Sequence, residues 1–218
     1  MKTAKSTFVS MGIVGALLGL GSGALVSQAA AADASYQAVL SPLNATTSGT
    51  SANGEASFTI EGDQLTIRVT VTGVPSSMEH LQHFHGFAMG DQQSTCPVAS
   101  SDVNGDGVID IKETEALAGE TMVPFHDNPV GMEIVVDTYP QADADGAYNY
   151  EKTVPLTALQ QAFTRKYPGQ ALDLERRVVF LHGVPMTTTL ATSVASLGDI
   201  PAQVTIPIAC GQIHKAAN

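Results

Sequence analysis

The chain of 218 residues has no tryptophan, and only 14% of its residues are charged. Basic residues are scarcest: there are 10 lysines and arginines against 21 aspartates and glutamates, a formal net charge of −11. Nucleic acids and anionic membranes attract proteins with a basic face, so this balance argues against both as partners. Apolar residues nevertheless make up 44% of the chain, which is enough for a buried core.

The amino-terminal segment has the pattern of a secretory signal peptide. Lys2 and Lys5 precede an apolar run over 8–20, and alanines fill positions 29–32. The alternative, a membrane anchor, needs about 20 uninterrupted apolar residues, and serine and glycine interrupt this run. We expect a signal peptide over 1–32 and one mature domain over 33–218, secreted into an extracellular or periplasmic compartment without a membrane anchor. The sequence makes no prediction of oligomeric state.

Cysteine is scarce as well, with Cys96 and Cys210 alone in the chain. In an exported protein, two cysteines favour a disulfide. The alternative is a pair of free buried thiols.

Apolar and polar residues alternate with a period of two in several stretches, which predicts strands. The clearest are 56–60 and 65–71, which a glycine-containing turn joins into a β-hairpin. Further strands are predicted at 36–40, 133–137, 147–153, 177–181 and 203–209, and short helices at 111–118 and 156–167. Many short strands separated by turns predict an all-β fold, an antiparallel β-sandwich or barrel.

Three of the six histidines fall within positions 80–85. On a strand, His83 and His85 lie on the same face, because side chains alternate between the two faces. Neighbouring neutral imidazoles suit copper, zinc or nickel. The alternatives are surface histidines or a patch that binds a partner. His80 is out of phase with the pair unless a bulge intervenes, and it is interpreted as a residue that supports the ligands or as a structural one.

A complete transition-metal site needs further ligands from elsewhere in the chain. His126 follows a Pro-Phe pair, and His182 ends the apolar run 178–181. A histidine at the end of an apolar strand is as often a satisfied core residue as a ligand. His214, near the carboxyl terminus, is the weakest candidate.

Residues 102–113 match the 12-residue calcium loop, in which oxygen ligands at alternate positions surround the ion. Gly107, at position 6, permits the sharp turn. An Asp/Gly-rich surface turn is the alternative. We expect calcium to order an insertion over 97–125 and thereby to position His126. The expected calcium ligands are Asp102, Asn104, Asp106, the carbonyl of Val108, Asp110 and Glu113.

Several short motifs resemble those of a known family. The segment His80–Asp91 with Cys96 resembles the copper strand and disulfide loop of copper/zinc superoxide dismutases. The ending Ile208–Ile213 is similar to the last strand of that family, and Val178–His182 is similar to its penultimate strand. Bacterial CHRD domains, named for chordin, share the hairpin and a His-x-His-Gly sequence.

The resemblance implies a Greek-key β-sandwich or barrel of the superoxide dismutase type with a Cys96–Cys210 disulfide. It also implies a copper-only centre, because the zinc site of the family needs histidines that are missing between positions 126 and 182. Pro207 stands where the family has the arginine that guides the anionic substrate. The copper ligands implied by the resemblance are His83, His85, His126 and His182.

Two functions follow from these expectations. The first is an exported copper protein that dismutates superoxide at the four-histidine site and is stabilised by calcium; zinc is the alternative transition metal. The second is a non-enzymatic extracellular metal-binding or structural domain of the CHRD type. Motifs of hydrolases and nucleotide-binding proteins do not occur in the chain.

Overall fold

The computed structural model describes residues 33–90 and 92–217, so the predicted signal peptide lies outside the described residues. Within these ranges, nine strands form one sheet in the order β5-β4-β7-β8-β1-β2-β3-β6, with β9 beside β1. The strands are β1 (Ala34–Pro42), β2 (Asn53–Glu61), β3 (Gln64–Thr72), β4 (Gln82–Gly86), β5 (Glu120–Pro124), β6 (Tyr148–Pro155), β7 (Val178–His182), β8 (Pro207–Gln212) and β9 (His214–Lys215). The helices are α1 (Ala45–Ser48), α2 (Ile111–Ala118), α3 (Leu156–Lys166) and α4 (Ala202–Thr205).

Neighbouring strands pair in the antiparallel sense throughout, and the sheet curls into a half-barrel with β5 and β6 at its edges. The prediction of a mostly β, antiparallel fold is therefore confirmed. No helix in the described ranges is long and apolar enough to cross a membrane.

The predicted hairpin is confirmed as β2 and β3, which pair from Glu61↔Gln64 back to Asn53↔Thr72. Along β3, Leu65 and Ile67 are buried while Arg68 is exposed. The alternation in the sequence therefore decides which face of the sheet packs inward. The predicted helices are also present, as α2 and α3.

The strand predicted at 133–137 is wrong, because this segment has no regular structure. The Glu79 carboxylate accepts the N–H groups of Asp137 and Tyr139 at 3.0 and 2.7 Å. A side chain therefore satisfies backbone donors that would otherwise seek a neighbouring strand. The strand predicted at 203–209 is half wrong, since its first residues form α4, where the Ile206 N–H donates to the Ala202 carbonyl.

Strands β4 and β7 are buried on both faces. On the first face, Phe84 packs between Phe58 and Phe125, with ring centroids 5.1 and 4.8 Å away, at the centre of the main core. On the opposite face, Phe180 packs with Ala118 in a second, smaller cluster. The side chains of β4 that alternate with Phe84 therefore face this second side of the sheet.

The segment predicted as an insertion supplies α2 and the edge strand β5. Asp110 caps α2 by accepting the Lys112 N–H at 2.9 Å, and the Glu113 carboxylate accepts the Asp110 N–H at 3.1 Å. Gly119 ends the helix at φ +73°, and a Cβ there would lie 2.1 Å from the Gly86 carbonyl oxygen. Only glycine allows β5 to approach β4 so closely.

The predicted disulfide between Cys96 and Cys210 is confirmed, with Cα atoms 5.8 Å apart. It joins the residue just before segment 97–125 to β8, next to the smaller cluster. The disulfide therefore attaches the segment that contains α2, whose Ala118 packs on the second side of the sheet, covalently to the sheet.

Candidate metal centre

Three buried histidines meet on the second side of the sheet. His83 and His85 come from β4 and His182 ends β7, and each offers one ring nitrogen within 4.8 Å of the others. Their ring centroids are 4.6 to 5.8 Å apart. In the described part of the chain this is the one such group of histidine, cysteine or acidic side chains. The cluster could hold a metal ion.

Strand geometry explains why these three side chains converge. His83 and His85 share a face by alternation, and β7 pairs with β4 so that His83 lies opposite Phe180, two residues before His182. The pairing shifts between His83 and His85 along β5, and between Leu181 and His182 along β8. Such bulges redirect side chains and are frequent beside functional sites.

Backbone carbonyls determine the tautomers of two of these rings. The Nδ1 atom of His85 lies 3.2 Å from the Gly119 oxygen, and that of His182 lies 2.7 Å from the Thr205 oxygen. A carbonyl only accepts, so each Nδ1 carries the proton and each Nε2 keeps its lone pair. Metal-binding histidines use this arrangement, in which the second nitrogen donates to a protein oxygen.

Two nitrogens of the cluster are buried without a hydrogen-bond partner, His83 Nδ1 and His182 Nε2. A buried polar atom without a partner costs about 1–3 kcal/mol, so such atoms need an explanation. A metal ion binds the lone pair of such a nitrogen, as His182 Nε2 offers. The residues therefore fit a transition-metal ion by geometry and by donor chemistry.

The three imidazoles are neutral at neutral pH. Burial lowers the pKa of His85 to about 3 and that of His182 to about 4. Burial, followed by the charges of the two neighbouring rings, also holds the pKa of His83 well below its ordinary value. Neutral imidazole is the form that binds metal, so these sites need not lose a proton first.

The cluster lies against a cavity of about 380 Å³. Thr121, Lys112 from α2 and Leu197 also line it, so segment 97–125 and the segment before β8 both contribute to its walls. A metal ion held by three protein ligands with an accessible fourth position is typical of catalytic sites, whereas structural sites are closed.

The structure does not place His126 in the cluster. Its Nδ1 accepts the Asn128 N–H at 2.9 Å, so Nε2 carries the proton and donates to the Glu133 carbonyl at 2.8 Å. The ring packs edge-on against Tyr139, with centroids 4.8 Å apart. Both ring nitrogens therefore form hydrogen bonds with backbone groups of the segment that follows His126.

The remaining histidines occupy two different environments. His80 is buried, with Nδ1 3.1 Å from the His182 carbonyl oxygen and Nε2 2.8 Å from the Pro75 carbonyl oxygen. A neutral ring has one N–H and donates to only one of these two carbonyls, and His80 lies outside the three-histidine cluster. His214 lies on β9 and is exposed.

The 102–113 loop surrounds its acidic side chains with its own amides. The Asp102 carboxylate accepts the Gly105 and Gly107 N–H groups at 2.8 and 2.9 Å, and Gly107 has φ +86°. The Asn44 side chain joins the loop to the sheet, because it bonds to both backbone groups of Ile109 and to the Pro207 carbonyl. The other predicted ligand side chains also accept loop N–H groups: Asn104 from Asp106, Asp106 from Val108, Asp110 from Lys112, and Glu113 from Val103.

Sequence reasoning missed the partners of the three histidines. Gly119 and Thr205 contribute carbonyl oxygens, which every residue has, so no sequence signal marks them. Thr121 contributes its hydroxyl, but it lies in an edge strand that the sequence did not predict.

No protein-family model matches this chain, and a search of the curated proteins finds no similar sequence.

Proposed function

We propose that this protein is an exported copper protein that dismutates superoxide at the three-histidine centre. The observation that carries the proposal is the pair of buried ring nitrogens without a hydrogen-bond partner, in a cluster beside a cavity. Among divalent first-row metals, imidazole sites have the highest affinity for copper. The resemblance of the histidine strand and disulfide segments to copper/zinc superoxide dismutases adds the reaction and the Greek-key relationship.

In this proposal His83, His85 and His182 hold the metal, and the carbonyls of Gly119 and Thr205 orient two of the rings. Copper supplies one-electron chemistry, by which one superoxide is oxidised to oxygen and the next, with two protons, is reduced to peroxide. Recruiting His126 as a fourth ligand would break both of its hydrogen bonds. We therefore propose a three-histidine centre in place of the four-histidine site implied by the resemblance.

The second candidate function is non-enzymatic binding of copper or zinc, as in an extracellular CHRD-type domain. The charges of the cavity favour it, because Glu115 and Glu120 line the cavity with Lys112 as the one basic residue. Two carboxylates against one ammonium group disfavour an anionic substrate. Pro207, in place of a guiding arginine, begins β8 and adds no positive charge.

Replacing His182 with alanine is expected to abolish the transition-metal site. Mature protein exported with copper, zinc and calcium should carry about one copper per chain by elemental analysis. The His182→Ala variant should bind copper at least ~100-fold more weakly, since loss of even a ligand's supporting group costs 10–100-fold. Superoxide consumption should fall in parallel.

His214→Ala is the matched control, because this histidine is exposed and outside the cluster, and it should keep both metal and activity. Copper bound without superoxide consumption would favour the non-enzymatic function. A wild-type protein without copper or zinc would overturn the metal centre.

We also propose that calcium occupies the 102–113 loop and orders the insertion that forms one wall of the cavity. The support is the match to the 12-residue loop and the position of Glu113, which belongs both to the loop and to the first turn of α2. At the millimolar calcium of extracellular fluids, even a weak site of this type is filled.

Calcium is expected to stabilise the wild-type protein and not the Glu113→Gln variant. A calcium concentration 100-fold above Kd should add about 2.7 kcal/mol to the free energy of unfolding. Thermal unfolding with calcium and with a chelator measures the calcium-dependent stabilisation of each protein separately. Because the loss of the Glu113 helix cap affects both measurements of the variant equally, it cancels in this difference.

Glu115→Gln lies on the same helix, is exposed and is outside the loop, so it should respond to calcium as the wild type does. Equal calcium responses in the Glu113→Gln and Glu115→Gln variants would contradict a site in this loop.

A further inference from the structure

The hydroxyl of Thr121 lies between two of the clustered histidines. Its Oγ1 atom is 3.5 Å from His83 Nε2 and 3.3 Å from His85 Nε2. In the described part of the chain no other side chain forms a hydrogen bond with the His83 ring, and His83 Nδ1 is buried. Thr121 is therefore the side chain that determines the tautomer of the His83 ring.

The tautomer of His85 decides which atom donates in each of these two hydrogen bonds. His85 donates from Nδ1 to the Gly119 carbonyl, so its Nε2 has a lone pair that can accept the Thr121 hydroxyl hydrogen. The Thr121 oxygen is then left as an acceptor, and His83 Nε2 can only donate to it. With its proton on Nε2, His83 keeps the lone pair on Nδ1.

We infer that Thr121 is a positioning residue of the metal centre, which selects the Nε2–H tautomer of His83 and so presents Nδ1 to the metal. The inference rests on the proposed function for the metal and extends it to a residue outside the ligand set. In the metal-free protein His85 Nε2 accepts the Thr121 hydroxyl hydrogen, and it gives up this bond when its lone pair binds the metal. Each of the three ligand rings then has one nitrogen bound to a protein oxygen, that of Thr121, Gly119 or Thr205. The partners of His85 and His182 are backbone carbonyls, whereas the partner of His83 is a side-chain hydroxyl that a single substitution removes.

The backbone around Thr121 is well placed for this role. The Tyr167 hydroxyl donates to the Thr121 carbonyl at 2.9 Å, which anchors the edge strand against the end of α3. Two residues earlier, Gly119 supplies the oxygen that binds His85. The short segment 119–121, where the insertion returns to the sheet, therefore orients both histidines of β4.

The tautomer of His83 can be tested without any metal. Long-range ¹H–¹⁵N spectra of the metal-free wild-type protein should show the proton on Nε2 for His83, and on Nδ1 for His85 and His182. A His83 ring with its proton on Nδ1 would overturn the inference, whether or not the protein binds copper.

The second test measures copper(II) affinity by competition with a chromophoric chelator. Thr121→Val keeps the shape of the side chain and removes the hydroxyl, and it should weaken copper binding about 10- to 100-fold, as for other partners of metal ligands. Thr121→Ser should restore the affinity to within a few-fold of wild type. The copper(II) paramagnetic resonance spectrum should change in the valine variant and return in the serine variant.

Thr66→Val is the matched control, since Thr66 is also a partly exposed strand threonine with a side-chain hydrogen bond, to Thr153 at 2.9 Å. It should leave copper affinity unchanged. Equal affinities for wild type and Thr121→Val would overturn the role of Thr121 and leave the metal centre intact. Failure of the wild type to bind copper would instead overturn the proposed function, and the nitrogen spectra would still decide the role of Thr121.

Discussion

Replacing Cys96 and Cys210 together with alanine is expected to lower the free energy of unfolding by about 5 kcal/mol. The disulfide spans a sequence separation of 114 residues. In the chain-entropy model a loop of about 100 residues gives ~4.7 kcal/mol, because the cross-link removes conformations from the unfolded chain. Denaturant unfolding of the metal-free protein at neutral pH measures the loss.

Reduction provides the control for this prediction. Wild-type protein with dithiothreitol should unfold as the double variant does, and dithiothreitol should not destabilise the double variant further. The loss of stability should extend to the metal centre, because the disulfide attaches the segment that contains α2 and β5 to β8. A loss of less than about 1 kcal/mol would contradict the chain-entropy argument for this loop.

Acidification from pH 7 to pH 5 is expected to destabilise the metal-free protein by about 2 kcal/mol for each of His85 and His182. Burial lowers their pKa values from 6.5 to about 3 and about 4. Between pH 6.5 and about 4, the unfolded chain therefore binds protons that the folded state does not. The stability contributed by the neutral rings is present above pH 6.5 and is lost as the pH falls towards the folded values.

Urea unfolding at a series of pH values measures this slope. The His182→Gln variant should lose about 2 kcal/mol of the difference between pH 7 and pH 5, since it removes one group that titrates only in the unfolded chain. His214→Gln, at an exposed position, should keep the full difference. A wild-type stability that is flat between pH 7 and pH 5 would contradict the burial of the three rings.

Local patterns predicted much of the fold because they act over a few residues. The alternation at 56–71 is satisfied by one neighbouring strand across a short turn, and the hairpin forms as predicted. The segment 133–137 has a similar apolar content, yet the Glu79 carboxylate takes two of the amides in and after it. That competition depends on a residue more than fifty positions earlier, so a window along the chain cannot detect it.

For the metal centre too, local sequence patterns predicted one part of the site and the tertiary structure decided the other. Because strand alternation is local, the sequence by itself determined that His83 and His85 share a face, and it identified His182 as a candidate for the same site. Only the tertiary structure decided that His182 joins them while His126 bonds to its own turn, since this depends on strand register and on which backbone groups lie nearby. The oxygens that orient the ligand rings come from Gly119, Thr205 and, as we infer, Thr121, and folding alone brings these groups beside the histidines.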